Sequence, residues 1–473
     1  EPPGHARRRP SRPRPPAAPR PRMTVADVLA ADPASGWGGA AWRRNFRLMS
    51  LAFAACQATV TLVIGFATSL LDPAVGQVGT GIFMLCSMVS SLVLGAPVVG
   101  VVGAKGGLLL AMGGSISFVM MFAIAVFQNP GSREQWTLYV FGATLCGGGS
   151  GVLWTAQGTF FASTSALVAA SEGISKEQAT SDLSSQFAMV LLTHEIASRL
   201  FASLLQGTFL HWELFEPLMS PGQVFFLFAN VAMTAVVVMG LFVTVPVKAQ
   251  SASSGKQASV IQSISRVFRL WLSPEIWCLS FTNLTFGFCA GYMNGFVNGS
   301  FVKPSPTFGA GSLGTLLATT SLVATAASPV CGCLSRRAGK GLTICLGAVS
   351  FAAIPASILV ATPDERNEYW GWSLILLYVL QGMARAVYES TNKAVFADFF
   401  PEDQSSPAFA NCMMQSSTAF FVSFMLQNTL TTEQKGTLAW TVLALAALIF
   451  PGYLAASRLR GRASTGLSQS LLS

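Results

Sequence analysis

The residues best able to do chemistry in this chain stand among apolar neighbours. In "LQGMARAVYESTNKAVFADFF", Arg385 and Glu389 are four apart, so a helix sets them one turn apart on one face, with Tyr388 beside them and Asn392 one turn beyond Tyr388. A second set, His194, Glu195 and Arg199, falls in "LLTHEIASRL", where Glu195 and Arg199 repeat that spacing. A third, Trp154 and Gln157, closes the glycine-rich run "CGGGSGVLWTAQG". A charge near the centre of a bilayer costs about 2.5 to 3.5 kcal/mol, so such groups face protein or water and have partners. Two readings stay open: each i, i+4 pair neutralises itself locally, or the groups line a central cavity, gate it or meet a ligand there. His194 beside Glu195 would suit a proton relay, against a histidine satisfied by a neighbouring backbone or side-chain group.

The elements that position these residues follow from hydropathy. Of 473 residues 52% are hydrophobic and 10% charged, with a mean hydropathy of +0.54, against about a quarter charged in soluble domains. This is an integral membrane protein, and its apolar runs are too long and continuous for the alternating strands of a β-barrel. At about 20 residues per crossing, twelve helices are expected at 45–70, 78–103, 106–127, 137–161, 183–209, 222–245, 274–300, 311–334, 341–361, 371–396, 407–430 and 437–456. The Ser-rich stretch from Val245 to Ser273 separates them into two groups of six. The domain reading is a disordered Pro/Arg-rich tail (1–42), a six-helix half (43–245), a cytoplasmic linker (246–273), a second half (274–457) and a cytoplasmic tail (458–473). Met23 offers a start for the folded chain, and the tail before it holds seven arginines of the net +9, so the charge gives no argument for nucleic acid.

Alternate loops with the terminal flanks hold fifteen Lys and Arg, and the opposite loops hold four, namely Arg133, Lys303, Arg366 and Lys435. That asymmetry places both termini and the linker in the cytoplasm. Asn298, in "NGS", then falls on the outer side as a candidate glycosylation acceptor, close to the membrane edge. With Gly371 at the outer edge, Arg385 lies about 21 Å deep, Glu389 about 27 Å and Lys393 about 33 Å. Lys393 and Asp398 are therefore expected among headgroups. Glu195 comes about 18 Å above the inner face and Arg385 about 9 Å, so a bridge between them needs a boundary shift or a long reach.

Other chemistries find no footing. The nine cysteines are scattered singly apart from Cys331 and Cys333, and the three histidines do not cluster, so no disulfide framework, metal site or cofactor is expected. The glycine runs lack the Lys-Ser/Thr and preceding strand of a phosphate loop, and no catalytic Ser/His/Asp or Cys/His set stands in context. An enzyme is not expected.

The stretches "GVLWTAQGTFFASTS" and "ARAVYESTNKAVFADFFPEDQSSPAFANCMMQ" carry a resemblance. Both look like the Unc-ninety-three family, the ion-channel regulatory proteins of the major facilitator superfamily, at Trp154, Gln157, Gly158 and Thr159 and at Arg385, Glu389, Ser390, Asn392 and Lys393. The resemblance implies an all-α major facilitator fold with twelve transmembrane helices in two pseudo-symmetric halves. It also implies a regulatory or trafficking partnership with another membrane protein, such as a potassium channel or a receptor. The alternative is a secondary transporter, proton-coupled or not, moving a small molecule or ion between the halves. The chain departs from the superfamily between its second and third helices, where "VVGVVGAKGGLLL" has Lys105 and no acidic partner.

Overall fold

Polar residues at the ends of the apolar runs set where helices start. Asp72 accepts from the Ala74 N–H at 2.9 Å, ahead of a helix that opens on Pro73, and Ser132 accepts from the Gln135 N–H at 3.2 Å. Each satisfies a donor that the first turn leaves free. The computed structural model describes residues 37–205, 208–209, 212–213, 216, 218–245, 260–308, 313–400, 402–430 and 436–470. The tail expected over 1–42 lies outside them as far as residue 36. Its last residues do not belong to it: the first helix begins at Gly39, and Trp42 is fully buried in it.

Twelve helical spans follow. Span 1 is Gly39–Leu70. Spans 2 and 3 form one run, Ala74–Ala125, which passes through a π turn at Ser91–Gly95 and breaks at Gly103. Span 4 is Arg133–Glu172, span 5 Lys176–Leu205 and span 6 Pro221–Phe242. Span 5 stops short of the expected residue 209, where the strands Thr208–Phe209 and Trp212–Glu213 pair antiparallel instead. Span 7 is Pro274–Gly291 continued by the π-helical Tyr292–Val302. Span 8 is Leu313–Ala338 and span 9 Lys340–Val360. Span 10 joins Ile375–Val387, a π turn at Tyr388–Asn392, and Lys393–Phe399. Span 11 is Glu402–Thr429, and span 12, Gly436–Ser470, carries its helix through most of the expected C-terminal tail.

The packing repeats with a shift of six. Spans 1 and 5 touch as 7 and 11 do, 1 and 6 as 7 and 12, 2 and 4 as 8 and 10, 3 and 4 as 9 and 10, and 3 and 6 as 9 and 12. The turn glycines repeat too: Gly103, between spans 2 and 3, has φ 74° and ψ 170°, and Gly339, between spans 8 and 9, has φ 85° and ψ 155°. That backbone region is open to glycine and strained for other residues. Across the seam between halves, span 2 packs on 11 and span 5 on 8, which the same shift interchanges.

Among the described residues six helical stretches are long and apolar enough to cross a membrane by composition, those of spans 1, 2 with 3, 6, 8, 9 and 12. Spans 4, 5, 7, 10 and 11 mix their apolar sequence with buried polar side chains such as Gln157, Glu195, Asn283, Asn392 and Gln415. The first half closes on an aromatic core in which Phe122 meets Phe225 at 4.6 Å and Tyr139 at 5.8 Å. Between residues 245 and 273, positions 246–259 of the expected linker lie outside the described residues. Val260–Arg269 is an α-helix, followed by a 3-10 turn at Leu270–Leu272.

Candidate functional site

Close helix approach builds the walls of a central cavity. A Cβ at Gly151 of span 4 would run into the backbone of Ser90 and Ser91 in span 2, and one at Gly287 of span 7 into the backbone of Ser416 in span 11. Small residues let those backbones meet without side chains between them. Where the spans diverge, a cavity of about 190 Å³ remains, lined from spans 1, 2, 4, 5, 7, 10 and 11. Its polar lining includes Gln57, Gln157, Glu195, Arg385, Glu389 and Lys393. A flat wall comes from Tyr388 stacked on Phe286, with ring centroids 3.6 Å apart.

The charges pair across the seam. Glu195 of span 5, 1% exposed, accepts from Arg385 Nη2 of span 10 at 2.7 Å. Its other oxygen accepts from Ser321 of span 8 at 3.3 Å and lies 3.7 Å from Arg199. Arg199 donates to the Leu317 carbonyl at 2.9 Å and to Ser321 Oγ at 2.8 Å. One carboxylate thus holds two arginines and ties span 5 to spans 8 and 10. Span 10 starts differently from the expectation: Glu368, Tyr369, Trp370 and Gly371 all have positive φ, and regular α-helix begins at Ile375. Span 5 begins at Lys176, seven residues before the expected start, so depths counted from the expected helix ends do not give the pairing that the packing of spans 5, 8 and 10 produces.

The local Arg385–Glu389 pair does not form. Glu389 accepts from Lys393 at 2.8 Å inside and beside the π turn. Lys393 sits over the rings of Trp154, at 4.2 Å, and Phe187, at 4.6 Å. The expected place of Lys393 and Asp398 among headgroups is corrected: both are buried. Depth along a single helix could not show that spans 4, 5 and 9 cover that end of span 10. Asp398 pairs with Lys340 of span 9 and accepts from Thr180 of span 5 at 3.0 Å.

The other sequence candidates fall in different places. Asn392 donates to Asn283 at 2.8 Å, which donates to Gln415 at 2.7 Å, a polar chain joining spans 10, 7 and 11 beside the cavity. His194 is hydrogen-bonded to the Val190 carbonyl at 2.8 Å and does not line the cavity, so the geometry gives no support to a relay through it. Arg199 stands behind Glu195 rather than in the cavity wall. Trp154 forms one wall, edge-on to Phe53 at 5.0 Å. Gln157 is 1% exposed, and its Oε1 has no hydrogen-bond partner among the described residues; the same holds for Arg385 Nε. Buried polar atoms normally have partners, so this cavity presents one open acceptor and one open donor. Asn298 is buried and accepts from the Tyr378 hydroxyl, so its amide is turned inward rather than presented for glycosylation.

A second polar layer, which the sequence reading missed, ties the halves at the linker-side end of the seam, beside a cleft of about 860 Å³ lined by Arg336, Lys340, Asp398 and Arg460 among others. Arg336 of span 8 meets Asp182 of span 5 at 2.6 Å, Lys340 donates to Thr180 at 2.9 Å, and Lys176 donates to the Ala397 carbonyl at 3.0 Å. The pattern "SRRAGK" was legible only as loop charge. At the opposite end a cleft of about 370 Å³ opens between spans 2, 7 and 11, lined by Gln77, Gly81, Gly295, Gly299 and Gln427 among others. All nine cysteines are free, and among the described residues no three of His, Cys, Asp and Glu cluster as metal ligands.

Two halves of six spans, a cavity between them and a six-span shift in helix order that repeats five contacts within the halves define a multi-pass membrane protein with the major facilitator fold. The comparisons agree. Residues 284–469 match the Major Facilitator Superfamily. A bacterial homologue of the iron transporter ferroportin is similar in crystal structures of its outward-facing state. With soaked iron the TM-score is 0.66, at 12% identity over 88% of this chain and 99% of that one. Without soaked iron the TM-score is 0.65, at the same identity and coverage. No curated protein sequence matches this chain.

Proposed function

We propose that this chain is a secondary transporter that moves a small polar or amphipathic solute through the cavity between its halves. One observation carries the reading: the Glu195–Arg385 bridge crosses the seam on the cavity wall, where Gln157 Oε1 and Arg385 Nε are left open. A solute that completes those hydrogen bonds competes with the bridge. Binding and the relation of the two halves are then coupled, as alternating access about a midplane site requires. Ion pairs tie the halves on the side that the Lys and Arg count assigns to the cytoplasm, and clefts flank the bundle at both ends, about 860 Å³ beside those ion pairs and about 370 Å³ opposite.

The likeness to an iron transporter supports the fold and the transport class rather than the cargo. Iron would need a group of His, Cys, Asp or Glu ligands, and the described residues bring no such group together. The residue-level likeness to the ion-channel regulators, at Trp154 and Gln157 and from Arg385 to Lys393, keeps a partnership reading in the test.

Purified chain in liposomes is assayed for uptake of labelled amino acids, monocarboxylates and nucleosides, with ferrous iron as a contrast. Thermal stabilisation by the same solutes is measured in detergent. We expect flux of at least one organic solute, abolished by Arg385→Ala. No flux and no stabilisation, together with a channel or receptor co-purifying with the chain, overturns transport in favour of partnership.

A further inference from the structure

The helix Val260–Arg269 and its 3-10 extension sit where the expected polar linker should be, and their faces are unequal. Val267 is fully buried in a small cluster with Ala96 of span 2 and Ala410 of span 11, with Leu92 packed against it. Asn411 donates to the Val267 carbonyl at 3.1 Å and accepts from Trp271 Nε1 at 2.7 Å. One side of the helix is therefore fastened to the bundle at the seam between the halves.

A second side is apolar and uncovered. Ile261, Ile264, Phe268 and Leu272 recur at helical spacing along an open groove. Ile261 is 78% exposed, Phe268 40% and Leu272 85%. The third side carries Arg266 and Arg269, both exposed. Phe268 meets Trp271 edge-on at 4.9 Å, and Trp271 lies 5.9 Å from Trp277, whose indole N–H donates to the Trp271 carbonyl at 2.7 Å. Paired tryptophans with one wet and one apolar edge are a mark of the membrane interface.

We propose that this helix is a lipid-binding element: its Ile261–Leu272 face enters the bilayer at headgroup depth, and Arg266 and Arg269 bind anionic lipid headgroups there. The bundle itself places the helix at the ends of spans 2 and 11, next to the bilayer, and two arginines beside an apolar stripe fit an anionic surface rather than a neutral one. Long arginine stems let the charge reach headgroups while the stripe stays in the acyl region. The count of Lys and Arg assigns this side to the cytoplasm, where anionic lipids concentrate. Because Val267 touches both halves, a lipid-held helix also fixes one edge of the seam. None of this depends on what the cavity carries.

Hydrogen exchange of the 260–272 segment in the full-length protein tests the proposal, in phosphatidylcholine nanodiscs with and without phosphatidylserine. Phosphatidylserine should slow exchange by roughly tenfold or more, since each basic residue adds attraction near an anionic surface. Added salt should reverse the slowing in the wild type, a readout that needs no variant. Arg266→Gln with Arg269→Gln should abolish it, while peptides from Glu402–Thr429 stay unchanged and show that the bundle is intact. Equal exchange in both discs overturns the proposal, as does slowing that survives the double variant or requires a co-purified protein instead of lipid.

Discussion

The two seam contacts that the shift of six interchanges, span 5 on span 8 and span 2 on span 11, are made of different materials. The first is charged along its length: Asp182 meets Arg336 at one end, and Glu195, Arg199 and Ser321 meet further in, with Arg385 joining from span 10. The second is neutral, with Ser87 and Ser417 hydroxyls 3.3 Å apart and Gly81 facing Met425. A cleft of about 370 Å³ lies on the neutral side, where spans 2 and 11 are joined by span 7, and one of about 860 Å³ lies beside the linker-side end of the charged contact. Ion pairs in a low dielectric are strong and directional, whereas small-residue contacts slide. The charged contact is therefore the stronger hold between the halves, and the neutral contact is the one that costs less to separate.

The largest break in that contrast is Glu195→Ala. It leaves Arg385 and Arg199 buried without their carboxylate, and removing one member of a buried pair costs about 3–5 kcal/mol. Thermal unfolding in detergent should show that loss. The double variant Glu195→Leu with Arg385→Met should regain part of the stability, because Arg385 leaves with the carboxylate while Arg199 keeps only the Leu317 carbonyl and Ser321, yet should not regain solute flux. Recovery of flux in the double variant would remove the bridge from the mechanism.

Next in size is the Glu389–Lys393 pair beside the π turn. Glu389→Gln leaves Lys393 its two aromatic rings, and a desolvated cation–π contact is worth about 2 kcal/mol. Its cost should fall below that of Glu195→Ala, at about 1–3 kcal/mol. Lys393→Met strands Glu389 with no such substitute and should cost more than Glu389→Gln. Equal losses from the two single variants would show that the rings do not hold the lysine.

The fold was legible because membrane crossing leaves a long, one-dimensional signal: twenty apolar residues announce a helix wherever they occur. The polar residues that matter were also visible, since Arg385, Glu389 and Glu195 stand out against Leu and Val. Their partners were not. Pairing depends on where each helix starts: span 5 begins at Lys176, seven residues early, and span 10 has a positive-φ entry at Glu368–Gly371 and a π turn at Tyr388–Asn392. The burial of Lys393 and Asp398 needed three other spans to be placed first. The linker helix had a readable signal in the spacing of Ile261, Ile264, Phe268 and Leu272, diluted by the serines around it.

On the neutral contact, Ser417→Ala removes one partner of the Ser87 hydroxyl. Interhelical hydrogen bonds in membranes average about 0.6 kcal/mol, so thermal stability should barely change and flux should survive. A loss as large as that of Glu195→Ala would erase the difference between the two contacts.

The smallest effect belongs to a charge pair that does not cross the seam at all. Arg43 of span 1 holds Glu172 by paired hydrogen bonds at 2.7 Å, at the far end of span 4, where forty residues of helix have carried it past the hydrocarbon. Those hydrogen bonds, ahead of an opposing desolvation and with added coulombic attraction, hold the Glu172 carboxyl below its ordinary range. A depressed carboxylate stabilises the fold above its unfolded pKa, near 4.3, and that contribution is lost as pH falls through the lower folded value. The pair is solvent-accessible, so it is worth under about 1 kcal/mol and is screened by salt. Glu172→Gln should therefore lower thermal stability slightly at neutral pH and low salt. The difference from wild type should shrink at high salt and vanish below the folded pKa. A gap that persists in acid would mean that Glu172 acts through packing rather than charge.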